Sequence, residues 1–308
     1  MNGRFPVFER FPYVWLAILG VLWGANFMFM KLCAASLAPS QIVWLRLAFG
    51  AVALSPFLPA ALGAVRRNRR LLLHVSVMTL FANMLTFHCF MEGTARLSSG
   101  AAGVLSGSIP LQTAMLAALF LPEERLTLPK LAGLAVSFLG IVSIVGPWNG
   151  LALATLSGAL YMLLGGLGYA VAFVYARRYL AAPGVSALSI AALQMLLATL
   201  FYAPFAQWQG IDRFYASPEV FDSVAIGLGA FGSGIAYAIY YGLIQSLGAV
   251  QASSVTYLPP LVALLFGAVF LHEAITVHQM AGCALVLGGI YLLRRASRNA
   301  GRRVPARR

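Results

Sequence analysis

Residues 110–145 read PLQTAMLAALFLPEERLTLPKLAGLAVSFLGIVSIV, and residues 259–294 repeat their pattern as PPLVALLFGAVFLHEAITVHQMAGCALVLGGIYLLR. The matching residues lie 149 positions apart: Pro110, Glu124, Thr127, Ala132, Gly133, Gly140 and Ile141 pair with Pro259, Glu273, Thr276, Ala281, Gly282, Gly289 and Ile290. Gly93 and Gly242 extend this offset, and three residues recur 148 positions later: Leu45, Pro56 and Phe57 as Leu193, Pro204 and Phe205. The second half of the chain is therefore predicted to repeat the first.

The composition excludes an ordinary soluble domain. Of the 308 residues, 61% are hydrophobic and 9% are charged, whereas about a quarter of the residues in a soluble domain carry charge. Apolar stretches of roughly 20 residues, each long enough to cross a bilayer, follow one another along the chain. They predict ten spans, five in each copy of the repeat: Tyr13–Cys33, Ser40–Leu62, Leu71–Arg96, Gly100–Leu121, Pro129–Val145, Leu151–Ala176, Val185–Trp208, Val220–Gln245, Ala249–Leu271 and His278–Leu293.

The charges predict how these spans are threaded. Lys and Arg accumulate in cytoplasmic connections, and a cytoplasmic N-terminus places seventeen of the 21 Lys and Arg residues on that side. Both termini are then predicted to be cytoplasmic. Five spans separate matching residues, so the two copies cross the bilayer in opposite directions, with Glu124 inside and Glu273 outside. Inverted repeats of this kind are typical of alternating-access carriers.

We therefore predict an all-α integral membrane protein of ten transmembrane helices, arranged as two inverted five-helix repeats. The first repeat covers residues 1–147, and the second covers residues 148–308 with a basic cytoplasmic tail. The net charge of +13 does not indicate nucleic-acid binding, because the basic residues lie in short connections and in this tail. The tail is expected to contact anionic lipid, at about 1 kcal/mol per charge near the surface.

The cysteines predict packing rather than chemistry. Cys33, Cys89 and Cys283 show no CxxC or Cys/His ligand spacing and lie in or beside apolar segments. We expect packed thiols there, and predict neither a metal nor a cofactor. The oligomeric state stays open.

Several motifs carry a family likeness. Trp23-Gly24-Ala25-Asn26-Phe27 with Lys31 resembles the first-helix motif of the EamA family, within the drug/metabolite transporter superfamily. The stretches from Pro110 through Leu121-Pro122-Glu123-Glu124 and from Pro259 through Leu271-His272-Glu273 resemble the paired signature of that family. One departure is visible, since Pro122 and His272 replace a small residue that the family commonly has at a helix end.

The resemblance implies a ten-helix carrier in the bacterial cytoplasmic (inner) membrane. It also implies a central cavity lined chiefly by the first, third, fourth, sixth, eighth and ninth helices. Family members move small metabolites, often amino acids, usually outward.

Arg46 is the first candidate for the substrate site. It lies about six residues from the outer end of the second span, roughly 9 Å deep at 1.5 Å per residue. A buried arginine costs at least ~2.5 kcal/mol, and its fork of donors suits a carboxylate or phosphate. The alternative is that Arg46 caps helix-end carbonyls or reaches the headgroups. Its repeat partner is Gln194, so only one copy carries charge.

Asn26 lies at a similar depth in the first span. It could share a polar cluster with Arg46, or it could hydrogen-bond to a neighbouring helix as packing polar residues do. Trp23 and Phe27 flank Asn26 and could stack on a ligand, although aromatic residues at helical spacing also serve as packing.

His88, Glu92 and Arg96 line one face of the third span, because they are four residues apart. His88 and Glu92 could pass or hold a proton, as exchange with protons requires. Alternatively, Glu92 and Arg96 form an interfacial ion pair and His88 is part of the packing.

Tyrosines and prolines complete the candidate cavity. Tyr169 in the sixth span, with Tyr237 and Tyr241 in the eighth, could supply a wall of amphipathic rings. Gln112 follows Pro110, where a kink exposes backbone carbonyls, and Pro259-Pro260 predict a kink at the matching place in the ninth helix.

Glu124 and Glu273 stand just ahead of the fifth and tenth helices. A carboxylate is stabilised by a helix N-terminus, so we expect each to cap the helix that follows it.

The leading hypothesis is a secondary carrier of a small polar metabolite, and an exporter by the resemblance. A second hypothesis keeps the fold and changes the cargo to a sugar, a nucleotide-sugar or an amphipathic drug. A membrane enzyme would need a deep cluster of nucleophile, base or metal ligands, whereas the four His and eight acidic residues are scattered. A non-transporting scaffold would not need Arg46, Asn26 and Gln194 inside its spans.

Overall fold

The computed structural model describes residues 11–120, 127–145, 153–179, 186–247, 255 and 258–302. Three predicted features lie outside these residues: Glu124, the border between the repeats at residues 147–148, and the last six residues of the basic tail.

The elements of the described chain are helices joined by short turns. Their bounds are α1 Pro12–Cys33, α2 Pro39–Arg67, α3 Arg70–Arg96, α4 Ser99–Phe120, α5 Leu128–Val145, α6 Leu153–Tyr179, α7 Ala187–Tyr202, α8 218–247, α9 Leu258–Phe270 and α10 Val277–Arg302. Seven of them contain a stretch long and apolar enough to cross a membrane. Shorter apolar helices cover Leu128–Ile144, Leu258–Phe270 and Val277–Leu292. The described chain is therefore all-helical and suited to repeated membrane crossing, while ten spans stay a prediction.

Segments of 3-10 and π-helix occur at matching places in the two halves of the chain. A 3-10 turn interrupts α2 at Ser55–Phe57, and another follows α7 at the corresponding residues, Ala203–Phe205. Each holds a proline, which lacks the N–H that an α-helix needs. α3 contains a π-helical segment, Thr79–Leu85, and α8 contains a longer one, Asp222–Ile235. Shifted by the repeat offset, the first segment falls inside the second. The sequence patterns did not predict either π-helix.

One end of the bundle, called the Ser99 face below, is where the helices are tied together. The Lys31 ammonium at the end of α1 donates to carbonyls at the end of α3, including Leu97 over 2.7 Å. Gln41, at the start of α2, donates to the Gln209 carbonyl after α7 over 2.9 Å.

The other helix ends meet at the same face. Cys33 Sγ of α1 lies 4.0 Å from the Val220 carbonyl at the start of α8. Gly158, near the start of α6, packs against Leu97. Ser143 near the end of α5 donates to the His278 carbonyl of α10. Odd-numbered helices thus end at the Ser99 face, and even-numbered helices begin there.

Glu273 caps a different helix from the one expected. Its carboxylate accepts from the Ser99 N–H over 2.9 Å and from the Ser99 hydroxyl over 2.8 Å, so it caps α4 across the bundle. The prediction that Glu273 caps α10 was wrong, because Thr276 and Gln279 form that cap through reciprocal side-chain bonds. The turn that directs Glu273 toward α4 has His272 in the left-handed region, at φ 53°.

Small residues set the closest helix crossings. A side chain at Gly103 of α4 would collide with Ala263 of α9. In the α5–α10 pair, a side chain at Gly140 would press on the Gly282 carbonyl at 2.7 Å, and Ser137 donates to the Val286 carbonyl. Close approach of backbones through small residues is how helices associate tightly in lipid.

Candidate functional site

Arg46 lies inside the bundle on α2 and is 6% exposed. Its Nε–H donates to Ser233 Oγ of α8 over 3.0 Å. Its guanidinium carbon lies 3.9 Å from the centre of the Phe87 ring of α3. Among the described residues, no carboxylate lies within ion-pair distance of this guanidinium. The bundle therefore holds a buried cation without an acidic partner in the described part of the chain.

Two of the predicted tyrosines face this cation. Tyr169 of α6 shares a side-chain hydrogen bond with Tyr237 of α8, and both interact electrostatically with Arg46. The Tyr169 ring also stands edge-on to Phe87 and Phe90, with centroids 6.5 and 5.9 Å away. Side chains of α3, α6 and α8 thus bring aromatic and hydroxyl groups near the Arg46 guanidinium.

The π-helical segment of α8 brings Ser233 to Arg46. Helices α2 and α8 approach closely, since a side chain at Gly50 would lie 3.1 Å from Ser233 Cβ. Ser233 Oγ donates to the Leu228 carbonyl, five residues earlier, over 2.9 Å. That spacing matches the turn of a π-helix, which appears frequently at functional sites.

Asn26 approaches the same segment from α1. It is 6% exposed, and its Oδ1 is buried with no hydrogen-bond partner in the described part of the chain. Gly232 leaves room for this oxygen, because any side chain there would collide with it. Since Gly232 and Ser233 are adjacent, Asn26 and Arg46 contact consecutive residues of α8.

Gln194 belongs to a neighbouring polar contact rather than to the Arg46 contact. Its Nε2 donates to Asn83 Oδ1 over 2.9 Å, inside the π-helical segment of α3. The Asn83 amide in turn lies 3.8 Å from Met195 Sδ. Gln194 and Asn83 are both buried, so this amide pair satisfies part of its own hydrogen-bonding needs inside the bundle.

His88 and Glu92 are each paired with a different residue. His88 Nδ1 lies 2.7 Å from the Tyr202 hydroxyl of α7. Glu92 forms an ion pair with Arg96, whose guanidinium lies 4.7 Å from the centre of the Tyr161 ring. The Glu92–Arg96 ion pair given as the alternative is present. Its place at the membrane interface and a proton role for His88 and Glu92 stay predictions.

Three other candidates, Trp23, Phe27 and Gln112, contact residues other than Arg46. Trp23 packs on Tyr240, with ring centroids 5.4 Å apart, and Phe27 packs on Phe90 at 6.3 Å. Gln112 Nε2 donates to the Leu163 carbonyl of α6 over 3.1 Å. Gln112 Oε1 is buried with no hydrogen-bond partner among the described residues.

The remaining predictions concern Tyr241 and the prolines. Tyr241 continues α8, but its side chain lies outside the described residues. α4 is interrupted between Ser106 and Ile109, immediately before Pro110. The interruption fits the proline, because it has no N–H to donate to a carbonyl in the preceding turn. Pro259 and Pro260 lie at the start of the described part of α9. Residues 256 and 257 lie outside the described residues, so the kink at these prolines stays a prediction.

Sequence reasoning missed Ser233, Phe87 and Asn83. Phe87 and Asn83 lie in an apolar span where no pattern distinguishes them. The sequence could have indicated Ser233, because residues 227–234 contain four glycines around this one hydroxyl. Glycine runs inside a span mark places where another backbone or ligand approaches closely. Among the described residues, no three His, Cys, Asp or Glu side chains converge as a metal ion requires.

Known proteins similar to this chain match it over most of its length. An uncharacterized transporter of Archaeoglobus fulgidus is 27% identical over 282 residues, which cover 91% of this chain and 98% of that protein. The uncharacterized inner membrane transporter YedA of Escherichia coli K12 is 24% identical, over 90% of this chain and 89% of its own.

A solved crystal structure resembles the fold, with a TM-score of 0.61 at 19% identity, covering 92% of this chain and 97% of that chain. The sequence pattern of the EamA-like transporter family matches residues 10–146 and again residues 156–295. Two matches in tandem, on an all-helical chain with a buried polar centre, show that the chain belongs to the EamA-like transporter family.

Proposed function

We propose that this chain is a secondary carrier that works by alternating access. Its architecture would be ten transmembrane helices in two inverted five-helix repeats, residues 1–147 and 148–308. The recurrence of 3-10 and π-helical segments at the repeat offset supports the duplication. The helix directions support the inversion, because α1 ends at the Ser99 face and α6 begins there. Opposed five-helix units of this kind enclose the substrate site in many carriers.

The Ser99 face would be the outer face of a bacterial cytoplasmic membrane, with both termini cytoplasmic. The exposed Arg66, Arg67, Arg69 and Arg70 lie at the opposite end of α2 and α3, and such clusters stay on the cytoplasmic side. Single cysteines at positions 124 and 273, in a chain whose own cysteines are replaced, test this arrangement. An impermeant thiol reagent should reach them from opposite sides, and labelling from one common side would contradict the inversion.

The substrate would be a small polar metabolite with a carboxylate, such as an amino acid. The observation that carries this proposal is the buried Arg46 guanidinium, which has no carboxylate within ion-pair distance among the described residues. A buried charge without an opposite charge is costly, and a guanidinium offers donors in the geometry that a carboxylate fits. A substrate that brings its own carboxylate would therefore complete the site.

Two further features fit such a substrate. Asn26 Oδ1, which has no hydrogen-bond partner among the described residues, can accept from an ammonium or hydroxyl group. The rings of Phe87, Phe90 and Tyr169 offer an apolar wall to the rest of the molecule. A sugar, a nucleotide-sugar or an amphipathic drug is the alternative cargo, and its uptake would not depend on a carboxylate.

The direction and the coupling are part of the proposal. Export is proposed from the family resemblance, and exchange for protons would use His88 and Glu92. The His88–Tyr202 contact at 2.7 Å provides a hydrogen-bonded place where a proton could be held. Transport of the same substrate with and without an imposed proton gradient tests this coupling, and rates unaffected by the gradient would exclude it.

The central test replaces Arg46 with Gln, the residue that the second repeat carries at the equivalent position. Proteoliposomes would be assayed with a panel of labelled amino acids, sugars and cationic drugs. We expect Arg46→Gln to abolish carboxylate transport while the protein keeps its elution profile in detergent. Arg213→Gln, a change at an exposed arginine between α7 and α8, is the control and should keep most of the activity. Unchanged carboxylate flux in Arg46→Gln would contradict the proposed site.

A further inference from the structure

Among the described residues, Arg46 donates a hydrogen bond through Nε and none through its two terminal nitrogens, and Ser233 is the acceptor of that one bond. We propose that Ser233 is a positioning residue that makes Arg46 bind a carboxylate end-on, through its two terminal nitrogens. This inference rests on the proposed function and adds the residue that sets the orientation of the substrate.

The geometry restricts the guanidinium on two sides. Its Nε–H is engaged with Ser233 Oγ over 3.0 Å, so the edge formed by Nε and one terminal nitrogen is occupied. One planar face is covered by the Phe87 ring, whose centre lies 3.9 Å from the guanidinium carbon. Bidentate binding of a carboxylate uses two parallel N–H groups in the guanidinium plane. In the described part of the chain neither terminal nitrogen has a hydrogen-bond acceptor, so the edge that they form is the one left for a carboxylate, beside Tyr169 and Tyr237.

Ser233 can hold this position because its own hydrogen is engaged elsewhere. Its hydroxyl donates to the Leu228 carbonyl over 2.9 Å, so an oxygen lone pair faces the Arg46 Nε–H. The Leu228 carbonyl lies five residues earlier in the π-helical segment, and Ser233 is fully buried. The hydroxyl therefore has a fixed direction, and a chain of two hydrogen bonds runs from Arg46 to the backbone of α8.

The consequence is that the site should bind a carboxylate more tightly than the corresponding carboxamide. A planar carboxylate matches the end-on edge with two bonds, whereas a carboxamide offers one acceptor and one donor to the same edge. Without Ser233, the Nε–H becomes available and the guanidinium can turn toward either edge. A carboxylate would then bind in several orientations, and its advantage over the carboxamide would fall.

The experiment compares Ser233→Ala with the unaltered protein in proteoliposomes. The probes are the amino acid that the unaltered protein transports best in the panel and the carboxamide of that amino acid. We expect Ser233→Ala to raise KM for the amino acid about tenfold, equivalent to about 1.4 kcal/mol, with the maximal rate within twofold. KM for the carboxamide should stay within twofold of its value in the unaltered protein. Ser233→Cys keeps a weak acceptor, so its KM for the amino acid should lie between those of the unaltered protein and Ser233→Ala.

Thr86→Ala is the matched control. Thr86 donates to the Phe81 carbonyl five residues earlier in the chain, over 2.8 Å, as Ser233 does to Leu228. Thr86 lies on α3 and donates to the Gly165 carbonyl of α6, rather than receiving a bond from Arg46. Its removal should disturb a helix to a similar extent without changing the preference for carboxylate over carboxamide.

The outcomes separate this inference from the proposed function. If Arg46→Gln abolishes transport and Ser233→Ala leaves KM unchanged, the positioning role is wrong and the substrate site stands. If Ser233→Ala and Thr86→Ala shift the preference equally, Ser233 acts only through helix structure. If the unaltered protein transports no carboxylate, both proposals fail together.

Discussion

Replacing Glu273 with Gln should destabilise the protein by about 2 kcal/mol, the order expected for hydrogen bonds to a charged group, although the side chain keeps its shape. The carboxylate reaches from the turn after α9 to the first turn of α4. There it accepts from the Ser99 N–H over 2.9 Å and the Ser99 hydroxyl over 2.8 Å, and more weakly from the Gly100 N–H over 3.4 Å. One side chain thus joins two distant parts of the chain.

The magnitude follows from what glutamine cannot do. Hydrogen bonds to a charged group contribute roughly 1.5–3 kcal/mol each, and a negative charge at a helix N-terminus adds about 0.3–1 kcal/mol. Glutamine keeps one acceptor oxygen but turns the other into a donor, which faces donors of Ser99. Because Glu273 is only half-buried, the lower end of this range applies, and we expect a loss of about 2 kcal/mol.

Thr276→Ala is the comparison that makes this prediction refutable. Thr276 Oγ1 accepts from the Gln279 N–H over 3.2 Å and so caps α10 at an exposed site without a charge. Losing such a cap costs about 1 kcal/mol. Unfolding of both purified variants would be followed by circular dichroism as SDS replaces the mild detergent. A loss in Glu273→Gln no larger than the loss in Thr276→Ala would refute the view that this carboxylate stabilises α4.

Two further predictions concern backbone geometry, and the same unfolding assay checks both. Gly103→Ala should destabilise the protein by about 1–3 kcal/mol, the usual effect of overpacking, because the new methyl group would collide with Ala263. Gly63→Ala, in a helix with nothing within 4 Å of the new methyl group, should be neutral or stabilise by about 0.5–1 kcal/mol, and equal losses in both would contradict the close α4–α9 crossing. His272→Gly should stabilise by about 1 kcal/mol, since His272 has φ 53° and only glycine adopts that conformation without strain; a destabilised His272→Gly protein would show that the imidazole makes a contact worth more than the strain.

The positions of the helices could largely be predicted from the sequence, because hydropathy and helix-ending residues fix them. The span predicted at Tyr13–Cys33 forms a helix over Pro12–Cys33, and the span predicted at Leu71–Arg96 lies in the helical stretch Arg70–Arg96. In both, apolar residues make the interior of the helix, and a basic residue, Lys31 or Arg96, lies in its last turn.

The contacts between helices could not be predicted in the same way. A membrane helix is apolar on every side, so it shows no amphipathic stripe that would reveal which side faces the protein. The partners of Arg46 and Glu273 are 187 and 174 residues away, beyond the reach of any local pattern. The π-helical segments escaped prediction for a related reason, since a continuous apolar run fits a π turn as well as an α turn.

The family resemblance also identified His272 as a departure at a helix end, which composition alone does not show. The helix-end position where the family commonly has a small residue is occupied by His272, and this is the one described non-glycine residue with a positive φ. His272 therefore holds a left-handed conformation that glycine adopts without strain. The turn must keep this conformation because it directs Glu273 to α4.

The contrast between Arg46 and Gln194 explains why the substrate is proposed at one of two similar places. Gln194 lies 148 positions after Arg46, which is the predicted repeat offset. Each of the two donates to a side chain in a π-helical segment, Gln194 to Asn83 and Arg46 to Ser233. The Gln194–Asn83 contact joins two neutral amides, so it carries no net charge that an outside partner must balance. The Arg46–Ser233 contact uses one of the five N–H donors of a cation and leaves its charge uncompensated by the described residues. Since an unpaired buried charge is far more costly than a paired amide, the place that gains most from an anionic ligand is the one beside Arg46.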